Sequence, residues 1–152
     1  MTDTISALRF SRKPSPVLPE HRPLYKIGQI LLILHLASRG GKSNLPRLHL
    51  FNWALKSKER SAQLIKAAKE RQLRIRAWGF DPALAIAVRY AIAEGLIRES
   101  SASYELTENG IMLAKEIVKQ SDTFATEKEI LVRIGKGISK EMVEKAAKEW
   151  EI

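Results

Sequence analysis

The sequence predicts a mainly α-helical domain with one small β-hairpin, preceded by an extended arm and followed by a helical extension. Apolar residues recur at helical spacing through most of the chain, two short strand-like segments flank a turn near residue 101, and four of the six prolines lie within residues 1–23. These observations divide the chain into an arm (1–23), a central domain (24–121) and a C-terminal extension (122–152).

The arm is expected to be extended, because proline lacks the N–H group that a helix or a central strand requires. Two interpretations stay open. The arm is either a disordered leader or a strap that lies on a partner, and in the second case its anchors would be Phe10, Val17 and Leu18.

The central domain is predicted to begin with three helices. Residues 25–38 would place apolar side chains on nearly every side of a helix, which is typical of a buried helix. The Gly40–Gly41 pair follows the end of this helix. A second helix is expected from Pro46 to Lys56, since proline is tolerated in a first helical turn. Ser57 has the hydroxyl group of an N-cap, and it predicts a third helix from Lys58 to Leu73.

The segments that follow lead into the hairpin. Alternation of charged and apolar residues from Arg74 to Phe80 predicts a short strand. Asp81 followed by Pro82 is a strong helix-start signal and predicts a helix over 83–94.

The hairpin itself is predicted from Leu96–Glu99 and Ser103–Leu106, which are strand-like runs separated by three small residues. Thr107 is expected to cap a further helix over 108–119.

The C-terminal extension is predicted to contain two helices. Thr126 and Glu129 fit a capping box at the start of the first, and Ser139 begins the second, which continues through Trp150. The second helix is amphipathic, and two interpretations of its apolar face stay open. The face docks on the chain's own core, or it binds a partner groove or a second copy with Trp150 as the anchor.

Residues 81–119 resemble the second half of a winged-helix domain. The motif "EGLI" at 94–97 is similar to the end of a recognition helix, and "YELTENG" at 104–110 is similar to the close of a wing. This resemblance implies a winged helix-turn-helix fold, mainly α with a small β-hairpin wing, in which residues 83–94 form the recognition helix.

A looser resemblance covers more of the chain. The buried first helix, "LHLFNWAL" at 48–55, "FDPAL" at 80–84 and the wing are together similar to the small middle component of Lamassu-like three-component ABC-ATPase defence systems. The resemblance implies a non-enzymatic subunit that bridges an SMC-like ATPase and an effector in an antiviral assembly.

The helix that would read DNA is, however, apolar. A recognition helix presents polar and basic side chains to base edges, but residues 83–94 contain one cation and no Asn, Gln, Lys, Ser or Thr. We therefore expect this helix to contact its own core on one side and another protein on the other. The residues predicted at this protein interface are Leu84, Val88, Tyr90 and Trp150.

The N-terminal half is the candidate nucleic-acid surface. Residues 1–76 contain 16 Lys or Arg and 4 Asp or Glu, a net charge of +12, whereas residues 77–152 contain 10 and 13, a net charge of −3. Clustered cations attract phosphates through counterion release, although an acidic protein surface would serve as well. The predicted nucleic-acid-binding residues are Lys56, Lys58, Arg60, Lys66, Lys69, Arg71, Arg74 and Arg76. Trp78 and Phe80 follow, and both are expected in the core.

Composition argues against an enzyme. The chain has no cysteine, its three histidines lack metal-ligand spacing, and no carboxylate pair stands in an apolar setting. The sequence "GGKS" at 40–43 imitates the end of a phosphate-binding loop, but Leu36 stands where that motif requires glycine. We expect no catalytic residue, metal or cofactor, and we expect His35 and His49 at core or interface positions.

These inferences predict a cytoplasmic, non-catalytic adaptor subunit of an assembly that handles nucleic acid. Protein subunits and DNA are the expected partners. No membrane partner is expected, because the apolar run at 27–37 is shorter than the roughly 20 residues that a bilayer requires. A stand-alone transcriptional regulator is the alternative function, and homodimerisation is an open alternative for the assembly.

Overall fold

The computed structural model describes residues 23–75 and 77–150, with the backbone alone at position 150. Most of the predicted arm, Arg76 and the side chain of Trp150 therefore lie outside the described residues. The described part has seven α-helices and three short strands, which confirms a mainly helical chain with a small sheet. The elements are α1 (Pro23–Leu36), β1 (Lys42–Asn44), α2 (Leu45–Ala54), α3 (Lys58–Glu70), α4 (Pro82–Ala93), β2 (Ile97–Ser100), β3 (Ser103–Leu106), α5 (Glu108–Lys119), α6 (Ala125–Ile134) and α7 (Lys140–Trp150).

Helix α1 is the centre of the core, as predicted. Every residue from Lys26 to Leu34 is buried, and α4, α5 and α6 pack around the helix. A helix that is apolar on nearly all sides needs such surroundings to remove its side chains from water. None of the helices in the described part combines the length and apolarity that a membrane crossing demands.

Side-chain caps set the starts of five helices. Each cap accepts a hydrogen bond from a backbone N–H in the first turn, where no carbonyl of the helix can serve as partner. This confirms the predicted caps Ser57, Asp81 and Thr107, and the structure adds Asn44 at the start of α2. Ser139, the predicted start of the last helix, caps α7 by accepting the Met142 N–H at 3.1 Å. Helix α3 ends at Glu70 rather than at the predicted Leu73, because Arg71 turns the chain with a φ of 55°.

The sheet has three antiparallel strands in the order β1-β3-β2. The predicted hairpin is confirmed, with Ile97 opposite Leu106 and a turn in which Ser101 and Ala102 both have positive φ. Such a turn matches the twist of the two strands that it joins. Strand β1 pairs with β3 through Ser43 and Tyr104, and the sequence analysis did not predict it because Lys-Ser-Asn lacks strand-like alternation.

Two local predictions are wrong. The described residues between Arg74 and Phe80 form no strand, because the chain there has no neighbouring strand and instead inserts Trp78 into the core. The capping box at Thr126 and Glu129 is absent, because the N-cap of α6 lies two residues earlier than predicted. Phe124 takes the N-cap position with a φ of 54°, and its ring stacks on Tyr25 at 4.8 Å between centroids.

The C-terminal extension packs against the central domain. Helix α6 contacts α1 and α3, and Glu127 accepts hydrogen bonds from Tyr25 Oη and, at 3.4 Å, from Gln29 Nε2. In α7, Val143 and Ala146 are buried. The apolar face of α7 therefore docks on the chain's own core at these two residues, which is the first of the two interpretations given above.

Candidate nucleic-acid interface

Helix α3 presents the predicted basic surface. Its inner face buries Leu64, Ala67 and Ala68 against the core. Lys58, Lys66 and Lys69 are exposed, and their spacing of eight and three residues places them along one outer face of the helix. We call these three residues, together with Arg71 and Arg74 just beyond the helix, the α3 basic surface.

Two of the predicted cations already contact partners within the chain. The Nζ atom of Lys56 forms an ion pair with Asp81 Oδ2 at 3.2 Å. The guanidinium of Arg60 lies 4.9 Å from the centroid of the Trp53 ring and donates to the Trp53 carbonyl at 3.4 Å. Their charge is thus partly compensated locally, and phosphate binding would have to compete with these contacts.

The α3 basic surface keeps its charge available. Its five residues are all exposed, and none of them takes part in an ion pair within the described part of the chain. Arg74 donates to Gln72 Oε1 at 3.0 Å, which leaves other guanidinium donors unused. The eighth predicted residue, Arg76, lies outside the described residues.

A cleft of about 470 Å³ extends the positive charge beyond α3. It is lined by five exposed cations and one carboxylate, that of Glu141. We call it the basic cleft. Its exposed cations are Arg39, Lys42, Arg71, Lys136 and Lys140. The sequence analysis missed all of these except Arg71, because they come from segments far apart in the chain.

The predicted protein interface on α4 divides into two faces. Leu84 and Val88 are 1% and 4% exposed in the chain's own core, so neither offers side-chain surface to a partner. Tyr90 is 51% exposed and Ile86, which was not predicted, is 49% exposed. An outer contact on α4 would therefore use Ile86 and Tyr90, and the predicted Trp150 contact lies outside the described residues.

The two aromatic residues after the basic segment have different environments. The core position predicted for Trp78 is confirmed: it is buried, and its Nε1 donates to the Pro46 carbonyl at 3.0 Å. The same prediction is wrong for Phe80, which is 65% exposed. Its ring lies 4.8 Å from that of His49, so it covers a buried imidazole rather than entering the core.

The hairpin of β2 and β3 carries little free positive charge. Its one cation, Arg98, forms an ion pair with Glu105 at 3.4 Å across the two strands. Glu99 accepts a hydrogen bond from Tyr104 Oη at 3.3 Å. A wing that contacts phosphates usually offers unpaired Lys or Arg, so this hairpin is poorly suited to that role.

Asp81 joins three helices through a polar network. At the start of α4, its carboxylate accepts hydrogen bonds from Asn52 Nδ2 at 2.9 Å and Lys56 Nζ at 3.2 Å, and it lies 3.7 Å from Lys26 Nζ in α1. Burial raises the pKa of Asp81, but the hydrogen bonds from Asn52, from the Ala83 N–H and from Lys56 outweigh it and lower the pKa to about 2. Lys26 is 1% exposed, so this network supplies a negative charge to a buried ammonium group.

The variant Asp81→Asn is expected to lower the free energy of unfolding by about 2 kcal/mol at pH 7, because it removes an anion that lies 3.7 Å from buried Lys26 while keeping an N-cap oxygen. This expected loss of stability is smaller than for a fully buried ion pair, because solvent partly screens the charge of Asp81. Urea denaturation measures the change. Glu116→Gln, an exposed carboxylate on α5, is the matched control and should have little effect.

The same network predicts a pH dependence. The folded pKa of Asp81 lies below its ordinary value of 3.8, so its contribution is present above that value and is lost as pH falls toward 2. The stability difference between the wild type and Asp81→Asn should therefore shrink from pH 4 to pH 2. A difference that stays constant over this range would show that the charge of Asp81 does not stabilise the fold.

Within 23–75 and 77–150, no group of three or more metal-ligating side chains is found, and two of the three histidines, His35 and His49, lie in this part of the chain. His49 Nδ1 accepts the Asp81 N–H at 3.3 Å, and its Nε2 is buried without a hydrogen-bond partner. Burial lowers the pKa of His49 and, with Lys115, that of His35. Both imidazoles are thus favoured in their neutral form within the fold.

No protein-family model matches this chain, and comparisons with curated proteins and with solved structures also give no significant match.

Proposed function

We propose that this chain is a cytoplasmic, non-catalytic adaptor subunit of a larger assembly, and that it contacts duplex nucleic acid through the α3 basic surface. The observation that carries the proposal is the set of five exposed cations on and beside one helix, none of which forms an ion pair within the described residues. Such a surface attracts the phosphate backbone without regard to sequence, and its affinity falls steeply with salt.

The assignment to the winged-helix superfamily belongs to the same proposal. A strand between the first two helices pairs with the second strand of a hairpin, and α4 leads directly into that hairpin. This arrangement supports a winged helix built on α1, α2 and α4, with α3 as an additional helix. The basic surface therefore lies on an added element rather than on the helix in the recognition position.

A protein partner on α4 completes the proposal. The outer face of this helix exposes Ile86 and Tyr90 and carries a single cation, Arg89, which favours contact with another protein over contact with bases. The resemblance to Lamassu-like middle components supplies candidates for that partner, namely an SMC-like ATPase or an effector. A stand-alone transcriptional regulator is the second candidate function, and exposed Arg89 would then be the one cation that α4 offers to DNA.

Nucleic-acid binding is tested by reversing charge on the α3 basic surface. The double variant Lys66→Glu, Lys69→Glu should weaken binding of a short labelled duplex about ten-fold or more and lower the salt slope of the binding constant by about two. Fluorescence anisotropy at rising salt concentration measures both quantities. The control is Lys115→Glu, Lys119→Glu on α5, two exposed lysines that change the net charge equally.

Equal losses in both double variants would contradict a specific role for α3 and indicate only general attraction by net charge. Salt-insensitive binding would contradict phosphate contact altogether. A third outcome is that Lys66→Glu, Lys69→Glu binds the duplex normally but loses affinity for a purified partner protein of the assembly. In that case the partner of this surface is an acidic protein.

The assembly itself is tested by purification from native cells. Stoichiometric recovery of a large ATPase with the chain supports the adaptor function. A homodimer that selects one operator sequence from random DNA supports the regulator instead.

A further inference from the structure

We infer that the basic cleft is a binding site for a compact, multiply charged phosphate group, such as the phosphate chain of a nucleotide or the terminal phosphate of a nucleic-acid strand. The site is distinct from the outer face of α3, which is exposed along a helix rather than recessed. With about 470 Å³, the cleft has the size of a small-molecule pocket, and a nucleic-acid duplex cannot enter it.

The first argument is the convergence of charge. The five exposed cations come from the turn after α1, from β1, from the end of α3, from the segment between α6 and α7, and from the first residue of α7. Like charges that meet in one concave surface repel each other, and Glu141 is the one carboxylate in the lining. Lys140 also pairs with Glu144 at 3.6 Å, but both side chains are more than half exposed, so this pair is weak.

The second argument is that the walls of the cleft are fixed. Buried Arg47 donates from Nε to the Ile138 carbonyl at 2.9 Å and from a terminal nitrogen to Ser38 Oγ at 2.7 Å. These bonds tie the turn after α1 to the segment before α7. A site whose walls are already in place loses less conformational entropy when a ligand binds.

A close backbone approach also fixes the side of the cleft where the segment before α7 meets α3. Gly137 lies against α3 so tightly that an added Cβ would be 2.7 Å from Ala68 Cβ and 2.9 Å from the Ala68 carbonyl oxygen. Only glycine allows the two backbones to come this close. The contact holds Lys136, the neighbour of Gly137, beside the end of α3, where Arg71 also lines the cleft.

Arg71 supplies the third argument. It has a φ of 55° at the C-cap of α3, a left-handed position that favours glycine. A non-glycine residue is strained there, yet the chain has an arginine whose side chain faces the cleft. The guanidinium group can donate two parallel hydrogen bonds to one phosphate, which glycine cannot.

The experiment uses inorganic triphosphate as the probe and isothermal titration calorimetry as the measurement. Arg71→Gly should weaken triphosphate binding about ten-fold, because it removes a charge-assisted hydrogen-bond donor. Its melting temperature should equal or exceed that of the wild type, because it relieves the backbone strain. A purely structural role for Arg71 would not separate these two readouts.

A charge-matched pair of variants locates the site. Lys42→Ala, Lys136→Ala removes two exposed cations of the cleft, and Lys58→Ala, Lys66→Ala removes two from α3. We expect about a ten-fold loss of triphosphate affinity in the first and less than about a two-fold loss in the second. Equal losses in both, or no binding of triphosphate by the wild type at millimolar concentration, would overturn the inference.

Competition against triphosphate distinguishes the two sources of the phosphate. A short duplex with 5′-phosphates that competes better than the same duplex with 5′-hydroxyls identifies a nucleic-acid end. ATP that competes better than triphosphate identifies a nucleotide. Arg71 belongs to both surfaces, so the double variants are what separate this inference from the proposed duplex binding. The cleft double variant keeps Lys66 and Lys69, and the α3 double variant keeps Lys42 and Lys136.

Discussion

Replacement of Gly110 by alanine is expected to lower the free energy of unfolding by about 3 kcal/mol or more, because the added methyl group has no space. Gly110 lies in the first turn of α5, against the segment that leads into the hairpin. An added Cβ would be 2.0 Å from the Leu96 carbonyl oxygen and 3.1 Å from Leu106 Cδ2. The Leu106 side chain can yield a little, but the carbonyl cannot.

The Leu96 carbonyl is fixed by its own hydrogen bond. It accepts the Thr107 N–H at 3.0 Å, and Thr107 in turn caps α5 through the Gly110 N–H at 3.1 Å. The methyl group would therefore force α5 away from the hairpin and break this set of contacts together. Since Leu96, Leu106 and Leu113 are all buried, the displacement would also open the core beneath the sheet.

The measurement is chemical denaturation of Gly110→Ala beside Asn109→Ala. Asn109 precedes it in the same helical turn and is exposed, so its substitution should change stability by no more than about 0.5 kcal/mol. If both variants are equally stable, the close approach between α5 and Leu96 does not exist in solution. If Gly110→Ala loses stability as expected, near-ultraviolet circular dichroism of Tyr104 in β3 should also change.

The caps show which parts of the fold could be predicted from sequence. Ser57, Asp81 and Thr107 act on N–H groups two or three residues away, so a short stretch of sequence contains both partners. Strand β1 was missed because its partner, β3, lies about 60 residues further along the chain. The capping box at Thr126 was wrong because tertiary stacking of Phe124 on Tyr25 outweighed the local motif.

The candidate site also has parts that could be predicted from local sequence and parts that depend on long-range packing. The cations of α3 could be predicted, since their density within one segment is visible in the sequence. Their partners could not: Lys56 is paired with Asp81 and Arg60 with Trp53 only in the fold. The basic cleft gave no sequence signal beyond isolated lysines and arginines, because packing of the C-terminal extension on the central domain brings its residues together.

Replacement of Arg47 by methionine is expected to lower the free energy of unfolding by about 3 kcal/mol, because it leaves buried carbonyl groups without donors. Arg47 is 4% exposed, and its guanidinium donates to the carbonyls of Ala37 and Ile138 and to the Ser38 hydroxyl. It also lies 4.7 Å from the centroid of the Phe51 ring. These contacts join α1, α2 and the segment before α7.

Two effects oppose each other in this substitution. Burial lowers the pKa of Arg47 to about 10, which indicates a charge held at some cost, and methionine would remove that cost. It would also remove three hydrogen bonds, and each buried acceptor left unpaired costs about 1–3 kcal/mol. The hydrogen bonds should therefore outweigh the relief. Arg47→Lys should be nearly as unstable, since one ammonium group cannot reach acceptors spread around a planar fork.

Amide hydrogen exchange tests this prediction more sharply than global stability does, because it shows which part of the chain loses protection. Because the bond to Ile138 helps to hold the segment before α7, together with the packing of Gly137 on Ala68, amide hydrogen exchange should rise first in residues 138–150 of Arg47→Met. Arg39→Met, an exposed arginine just after α1, is the control and should leave this exchange unchanged. Equal stability of the two variants would mean that relief of charge burial offsets the lost hydrogen bonds. In that case the packing of Ile138, Val143 and Ala146 is enough to hold α7 and the segment before it.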